Sequence, residues 1–426
     1  MTDKKICTER TTCRVCGSAN LLPVIDLGKQ FIAGHFVKDS LPGFLNKPYP
    51  LELVRCSGAG SCGLVQTRHT VAPSALYYDY GYLSGINEIM RANLEEITGR
   101  VENIIALRRS DIVLDIGCND GTLLLSYRTP GLDRVGFDPA DNAAAIARSR
   151  GLDVVQDFFS ARAFQACRPG GKARAVTSCA MFYDLEDPVN FVRGVAAVLD
   201  ERGIWVIEVA YLPATLQNNS FDTICHEHLE YYSLNNIEWI LGKNHLRIYD
   251  LEFNEINGGS VRLFIQKDGS APLPEANRAR LEKALKEEEA LALDTEAPYA
   301  QFRASAARIQ QDLHSLLLDL KKAGKSVYAY GASTKGNTIL QFCGIDHTLL
   351  AKAADRNPDK WGRRTLGTDI PIVSEEQARA EKPDYFLVLP WHFLEGFVKR
   401  ETEFLKRGGK FILPIPEVRL AGYEDL

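Results

Sequence analysis

Two histidines flank a glutamate in the run Phe221-Asp222-Thr223-Ile224-Cys225-His226-Glu227-His228-Leu229-Glu230-Tyr231-Tyr232-Ser233. Residues two apart share a face on a strand and not on a helix, so an extended chain would turn His226 and His228 the same way. One chemistry for such a pair is metal binding. Another is proton transfer, by an imidazole base that a carboxylate orients. The second is preferred, because no third ligand stands at a suitable spacing. A third reading gives the polar groups to the backbone of a capped helix start.

A second cluster is made of sulfur. Cys13 and Cys16 form C-x-x-C, and Cys56 and Cys62 form a wider pair, each beside glycines that permit tight turns. Two such knuckles brought together give a closed four-thiolate tetrahedron, the geometry of structural zinc. The second pair is looser than a usual knuckle, so residues 57–61 read as an insertion. Cys7 reads as a bystander, and His35, alone in its loop, as a solvent-facing side chain.

A third stretch runs from Ile112 to Asp138. The apolar strand Ile112-Val113-Leu114 ends at Asp115, and Gly117 and Gly121 follow, with Asn119 and Asp120 between them. A helix-compatible segment and a strand, Arg134 to Phe137, lead to Asp138. Strand, glycine turn, helix, strand and acid make half of a doubly wound nucleotide site. The spacing is D-x-G-x-x-x-G and not G-x-G-x-x-G. The carboxylates of Asp115 and Asp120 would repel a pyrophosphate and suit the ammonium and sulfonium charges of S-adenosylmethionine. Asp138 would then accept hydrogen bonds from ribose hydroxyls, Asp157 would meet the adenine amine, and Phe158 would cover the ring.

The elements that must hold these residues alternate. A helix with one apolar face is expected from about Asn87 to Leu107. Strands are expected at Asp153–Val155, Ala175–Ser178 and Gly203–Glu208, separated by helices. Ligands in such sheets sit beyond the carboxyl ends of the strands, which puts Asp115 to Gly121, Asp138, Asp157 and Glu208 on one rim. Crowded tyrosines, Tyr77, Tyr78, Tyr80 and Tyr82, precede the first helix and read as a pocket wall. Asn257-Gly258-Gly259 before Arg262 reads as a hairpin turn, with Arg262 near a phosphate as the functional alternative. The charged run from Pro274 to Asp294 reads as a solvated connector helix.

A second α/β lobe follows. A helix from Tyr299 to Lys322 leads to a strand at Lys325–Tyr330, and Gly331-Ala332-Ser333-Thr334-Lys335-Gly336-Asn337 opens another helix. A glycine turn at a helix start is an anion site, and Ser333, Thr334 and Lys335 add donors. Further strands are expected at Leu349–Ala354, Tyr385–Leu389 and Lys410–Pro414. Asp355 ends one of them where a ribose-binding acid would stand, which leaves a nicotinamide site as a weaker alternative.

The 426 residues carry a net charge of −5. That balance argues against a nucleic-acid footprint. No apolar run approaches a membrane span, and MTDKKICTER lacks the apolar core of a signal peptide, so a cytoplasmic protein is expected. Ten cysteines in such a chain read as metal ligands or buried thiols. The sequence gives no oligomeric state, and a monomer is compatible with it.

Four motifs occur in order: the cysteine cap, D-I-G-x-N-D-G-T, H-E-H-L-x-Y-Y-S and G-A-S-T-K-G-N. Over nearly the whole chain they resemble the S-adenosylmethionine-dependent C-methyltransferases of nucleotide-linked keto-deoxysugars. The resemblance implies an α/β protein of three domains. These are a zinc-binding cap (1–80), a class I methyltransferase domain with a doubly wound sheet (81–300) and a smaller Rossmann-like lobe (301–426). It implies that a base removes the proton beside the C4 ketone, at C3 first, and that the enolate carbon takes the methyl group. His228 would be the base, with Glu227 and His226 in the same set and a hydroxyl from Tyr80. Arg262, Ser333, Thr334, Lys335, Asn337, Asp355 and His392 would hold the nucleotide-sugar. One departure stands out: such enzymes usually carry tyrosine where this chain has Cys225, and a thiol is a weak donor. The group that steadies the enolate then differs here, or an upstream tyrosine supplies it. The rival readings are a small-molecule O-methyltransferase and a non-catalytic nucleotide-sugar binder. An RNA methyltransferase is disfavoured by the charge.

Overall fold

The computed structural model describes residues 6–38, 41–76, 83–270 and 272–425. Its centre is a seven-stranded sheet. From one edge the order is Leu246–Asn254, Ser260–Lys267, Leu199–Ala210, Ala173–Cys179, Ile112–Ile116, Asp133–Phe137 and Asp153–Val155. The five strands read from the sequence run parallel. They are near-continuous apolar runs covered on both faces, as parallel sheets require. Ser260–Lys267 is inserted antiparallel beside Leu199–Ala210. The Asn257-Gly258-Gly259 turn is the hairpin that reverses it, and all three residues have positive φ. This mixed class I methyltransferase sheet has two strands more than its βα alternation announces.

The expected first helix spans Glu88–Ile104, and the Asn87 side chain caps it by accepting from the Ile89 and Met90 N–H groups. Leu94, Ile97 and Val101 are buried against the sheet core formed around Val113, Leu123 and Phe264. The helix Glu275–Glu289 is more than a solvated connector. Glu288 is buried and accepts from the Leu234 and Asn235 N–H groups (2.7 and 3.0 Å) and from the Tyr211 hydroxyl (2.7 Å). It thereby holds the start of the helix Leu234–Gly242, which its own Ser233 also caps.

The cap is a twisted antiparallel sheet of Leu21–Gln30, Tyr49–Cys56 and Val65–Thr67. Its fourth strand is Glu230–Tyr231, which belongs to the histidine stretch and pairs with Gln66 and Val65. His35 does not face solvent as its loop position implied; it is buried, and one ring nitrogen lies 2.9 Å from the Ala75 carbonyl.

The C-terminal lobe has a second sheet in the order Ile372–Ser374, Ala353–Asp355, Val327–Tyr330, Tyr385–Val388, Lys410–Leu413 and Arg419–Ala421. All pairs are parallel except the last. The strand expected to begin at Leu349 starts only at Ala353, because Asp346 to Leu350 form a turn. The long helix Ala297–Lys322 buries Phe302, Ile309, Leu313 and Leu317 in the core that joins this lobe to the cap strands.

Candidate active site

A cavity of about 600 Å³ opens at the carboxyl ends of the central strands. Asp115, Gly117, Asn119, Asp138, Asp157, Phe158 and Glu208 line it, with Thr8, Thr70 and Pro73 of the cap on the far side. The volume suits a cofactor-sized ligand. Gly117 has φ +75°, and a Cβ there would stand 3.0 Å from Met181 Cγ. Burial pushes the Asp115 carboxyl up to about 7; the Thr177 hydroxyl, 2.6 Å away, pulls it down, and Asp138 adds to the rise. A buried acid so poised favours a cationic ligand. Asp138 is also raised by burial, and its two oxygens accept from the Asn119 and Ala140 N–H groups, each at 2.8 Å. Phe158 is exposed at the cavity mouth, beside an exposed Asp157.

Two residues of the turn stand behind the wall. Asp120 accepts from the Gly85 N–H (3.0 Å) and from the Thr122 hydroxyl (2.7 Å), so it fastens the approach to the first helix. Gly121 has φ +79°, and a Cβ there would meet Leu152 Cδ1 at 2.2 Å, so it is needed for packing. Arg262 is not free to meet a phosphate. It lies inside the sheet, paired with Glu208 (2.9 Å) and Glu252 (3.0 Å) and hydrogen-bonded to Asn93 (2.8 Å). A buried guanidinium needs such partners, and they use its donors.

The two histidines of the H-E-H stretch diverge. His226 is buried, with Nε2 donating to the Tyr49 carbonyl of the cap at 3.3 Å. His228 is half-buried, and Nδ1 donates to the Thr223 carbonyl at 2.7 Å. That bond fixes the tautomer and leaves the lone pair on Nε2. Burial holds both imidazoles down at about 4, and Lys335 adds to the depression at His228. His228 is therefore neutral and able to accept a proton at physiological pH. Glu227 lies between them, raised by burial, with Oε2 buried and unpartnered among the described residues. Gly34 of the cap faces this carboxylate: a Cβ there would stand 2.7 Å from Glu227 Oε1 and 3.9 Å from Thr334 Oγ1. Cap, central domain and C-terminal lobe thus meet at Glu227.

The lobe's glycine turn comes to the same place. The Ser333 hydroxyl accepts from the Gly336 N–H (3.0 Å) and caps the helix Thr334–Phe342. Lys335 is half-buried, donates to the Asn257 carbonyl of the hairpin, and lies within electrostatic reach of Asp222 and Cys225. Asp222 accepts from the Trp391 indole (3.0 Å), and its other oxygen is buried without a partner among the described residues. His392 beside it is held well below its ordinary value by burial and by Lys335. Asn337 is turned toward the cap, donating to the Ala33 carbonyl (2.6 Å). Asp355 accepts from the Ala332 N–H (2.9 Å) and sits 3.5 Å from Lys360, behind the turn. Tyr80 lies outside the described residues. Asp222, Thr223 and Trp391 had no role in the sequence reading; only their contacts across the fold reveal them.

Comparison with known proteins bears on this arrangement. Family models match residues 13–77 (zinc binding domain), 85–251 (methyltransferase domain) and 255–416 (C-methyltransferase C-terminal domain). The C-methyltransferase NovU of Streptomyces niveus is 32% identical over 416 residues, spanning 97% of each chain. The chain belongs to the C-methyltransferase family. It is an S-adenosylmethionine-dependent C-methyltransferase. The ubiquinone biosynthesis O-methyltransferase of Bordetella avium is 31% identical, over 29% of this chain and 49% of its own length. Magnesium protoporphyrin IX methyltransferase (ChlM) of Synechocystis PCC 6803 with bound SAM has a TM-score of 0.33 at 13% identity, over 45% of this chain and 88% of its own.

In this C-methyltransferase the four cysteines fit zinc. The Cys13 and Cys62 sulfurs lie 3.5 Å apart, those of Cys16 and Cys56 3.3 Å, and all four fall within 4.8 Å of one another. Zinc–sulfur bonds of about 2.3 Å put tetrahedral sulfurs about 3.8 Å apart. The four ligands close the site, so the metal is structural. Burial and the neighbouring sulfurs push the Cys56 thiol up to about 12, a repulsion that a bound dication removes. The knuckle also reaches toward the active site. Arg14, between two ligands, is buried against Glu230 (3.6 Å) and donates to the Thr67 carbonyl (2.7 Å). Among the described residues no helix is long and apolar enough to cross a membrane.

Proposed function

We propose that this C-methyltransferase alkylates C3 of a nucleotide-linked 4-keto-deoxysugar by way of an enolate. The observation that carries the proposal is the state of His228: neutral, its tautomer fixed by Thr223, its lone pair on the nitrogen away from that bond. An acidified carbon–hydrogen bond beside a ketone needs such a base. His228 takes the proton, and Glu227 at its side is placed to accept the imidazolium charge that results. His226, bonded to Tyr49, serves the loop and not the proton. Bound S-adenosylmethionine supplies an electrophilic methyl group. Asp115 faces its cation, Asp138 its ribose hydroxyls, and Asp157 and Phe158 flank its adenine end. Thr334 and Lys335 hold the sugar and diphosphate side, with Asp222 and Trp391 fixing the lysine's surroundings. Water is excluded by the meeting of three domains at Glu227, which also strengthens each charge interaction there.

Proton abstraction is separable from methyl transfer. In deuterium oxide without S-adenosylmethionine, the enzyme should exchange the hydrogen at C3 of its keto-sugar, followed by NMR. An O-methyltransferase makes no enolate and would leave that position protonated, which would overturn the reading.

A further inference from the structure

The turn after the strand Ala173–Cys179 holds a carboxyl group that the reaction as described leaves idle. Asp184 ends the short 3-10 turn Phe182–Asp184. This turn is fastened to the catalytic stretch: the Leu229 N–H donates to the Tyr183 carbonyl at 2.7 Å. The Tyr183 ring lies 4.4 Å from that of His228, centre to centre. Asp184 and Leu229 both line the cofactor cavity. The carboxyl therefore stands where the cavity meets the base. Its Oδ1 is buried with no hydrogen-bond partner among the described residues, a costly state for an ionised oxygen. Burial first, and then the charge of Glu227, raise it well above the usual carboxylate range, which favours the protonated form. The thiol of Cys225 is turned to Glu227 and offers the site no donor.

We propose that Asp184 is a catalytic hydrogen-bond donor to the ketone oxygen of the substrate, an assignment that rests on the keto-sugar reading above. The carbon–hydrogen bond breaks and its proton goes to Nε2 of His228. The electron pair forms the carbon–carbon double bond, and the carbonyl pair moves onto oxygen. Asp184 shares its proton with that oxygen and keeps it when the carbonyl re-forms. A carboxylic acid held neutral by an apolar site can act in this way.

The test is C3 hydrogen exchange in deuterium oxide without S-adenosylmethionine, with thymidine- and uridine-diphosphate-linked 4-keto-deoxyhexoses as probes. Asp184→Ala should lower the rate about 100- to 1,000-fold, the usual loss for one oxyanion donor. Asp184→Asn, which keeps a donor of the same shape, should stay within about tenfold of the wild type. Affinity for S-adenosylhomocysteine, measured by calorimetry, should be unchanged in both. Wild-type exchange at the Ala variant, an Asn variant as slow as Ala, or a loss of cofactor affinity in place of exchange would each overturn the donor. All three leave the keto-sugar reading intact. Absence of exchange in the wild type with both probes would overturn that reading itself.

Discussion

The central domain and the C-terminal lobe each carry a strand, a glycine turn and a helix, and in each the turn presses on a residue just beyond a neighbouring parallel strand. Gly117 abuts Met181 after Ala173–Cys179, and Gly331 abuts Pro390 after Tyr385–Val388. Backbone alone would make the two turns equivalent. The side chains do not. The first turn opens onto a cavity bordered by Asp115 and Asp138, while the second presents the half-buried Lys335 beside His228. On the function proposed above, one scaffold device serves a cation in one lobe and an anion in the other, and charge, more than fold, would assign the ligands.

The contrast can be broken at several points. The largest effect is expected at the base between the lobes. His228→Ala should lower kcat by about 100- to 10,000-fold with cofactor affinity intact, whereas His226→Asn should mainly lower Tm. Next, Lys335→Met should weaken substrate and leave S-adenosylmethionine binding alone. It leaves Asp222 buried without a cation, so KM should rise by roughly tenfold or more, with little change in calorimetric cofactor affinity. Asp115 gives a sharper, smaller signature. Its carboxyl ionises near 7, and the ionised form attracts the cationic cofactor. Affinity for S-adenosylmethionine should therefore rise about tenfold from pH 6 to pH 8. Asp115→Asn should flatten that slope, and binding of the uncharged thioether product should show little of it. The two depressed histidines give a linked effect on stability. They bind protons more readily unfolded, so their contribution is complete above about pH 6.5 and lost as pH falls toward 4. Thermal melts between pH 4 and 7 should show that decline. Smallest is Phe158→Ala, which should cost a few-fold in cofactor affinity, since an exposed ring covers only one face.

Much of this was legible in the sequence. Parallel strands declare themselves as short apolar runs, and the acid after each strand names the rim. Four cysteines in two pairs name a metal, because few other uses need that pattern. What the sequence withheld was long-range pairing. Nothing local distinguishes His226 from His228; the difference is that one ring meets the Tyr49 carbonyl of the cap and the other the Thr223 carbonyl nearby. Asp120 and Arg262 look like ligand contacts because charge near a glycine turn usually is. Here Gly85, Thr122 and Glu208 use those charges inside the fold. Glu288 was hidden for the opposite reason, as one acid in a charged helix whose other face is wet. Asp184 was passed over since a lone aspartate after a strand carries no motif.

The pairing of Gln66 and Val65 with Glu230 and Tyr231 has a consequence for biogenesis. Translation delivers the cap first, yet its last strand emerges only after about 160 more residues. Until then Val65–Thr67 is an open ladder of unsatisfied amides, able to recruit any extended neighbour. A cap expressed by itself should be sticky, and supplying the 230–231 segment in trans should quench that stickiness. The same stitch anchors the imidazole stretch to the oldest part of the nascent chain, so the proposed base would be in place only once both halves have closed on each other.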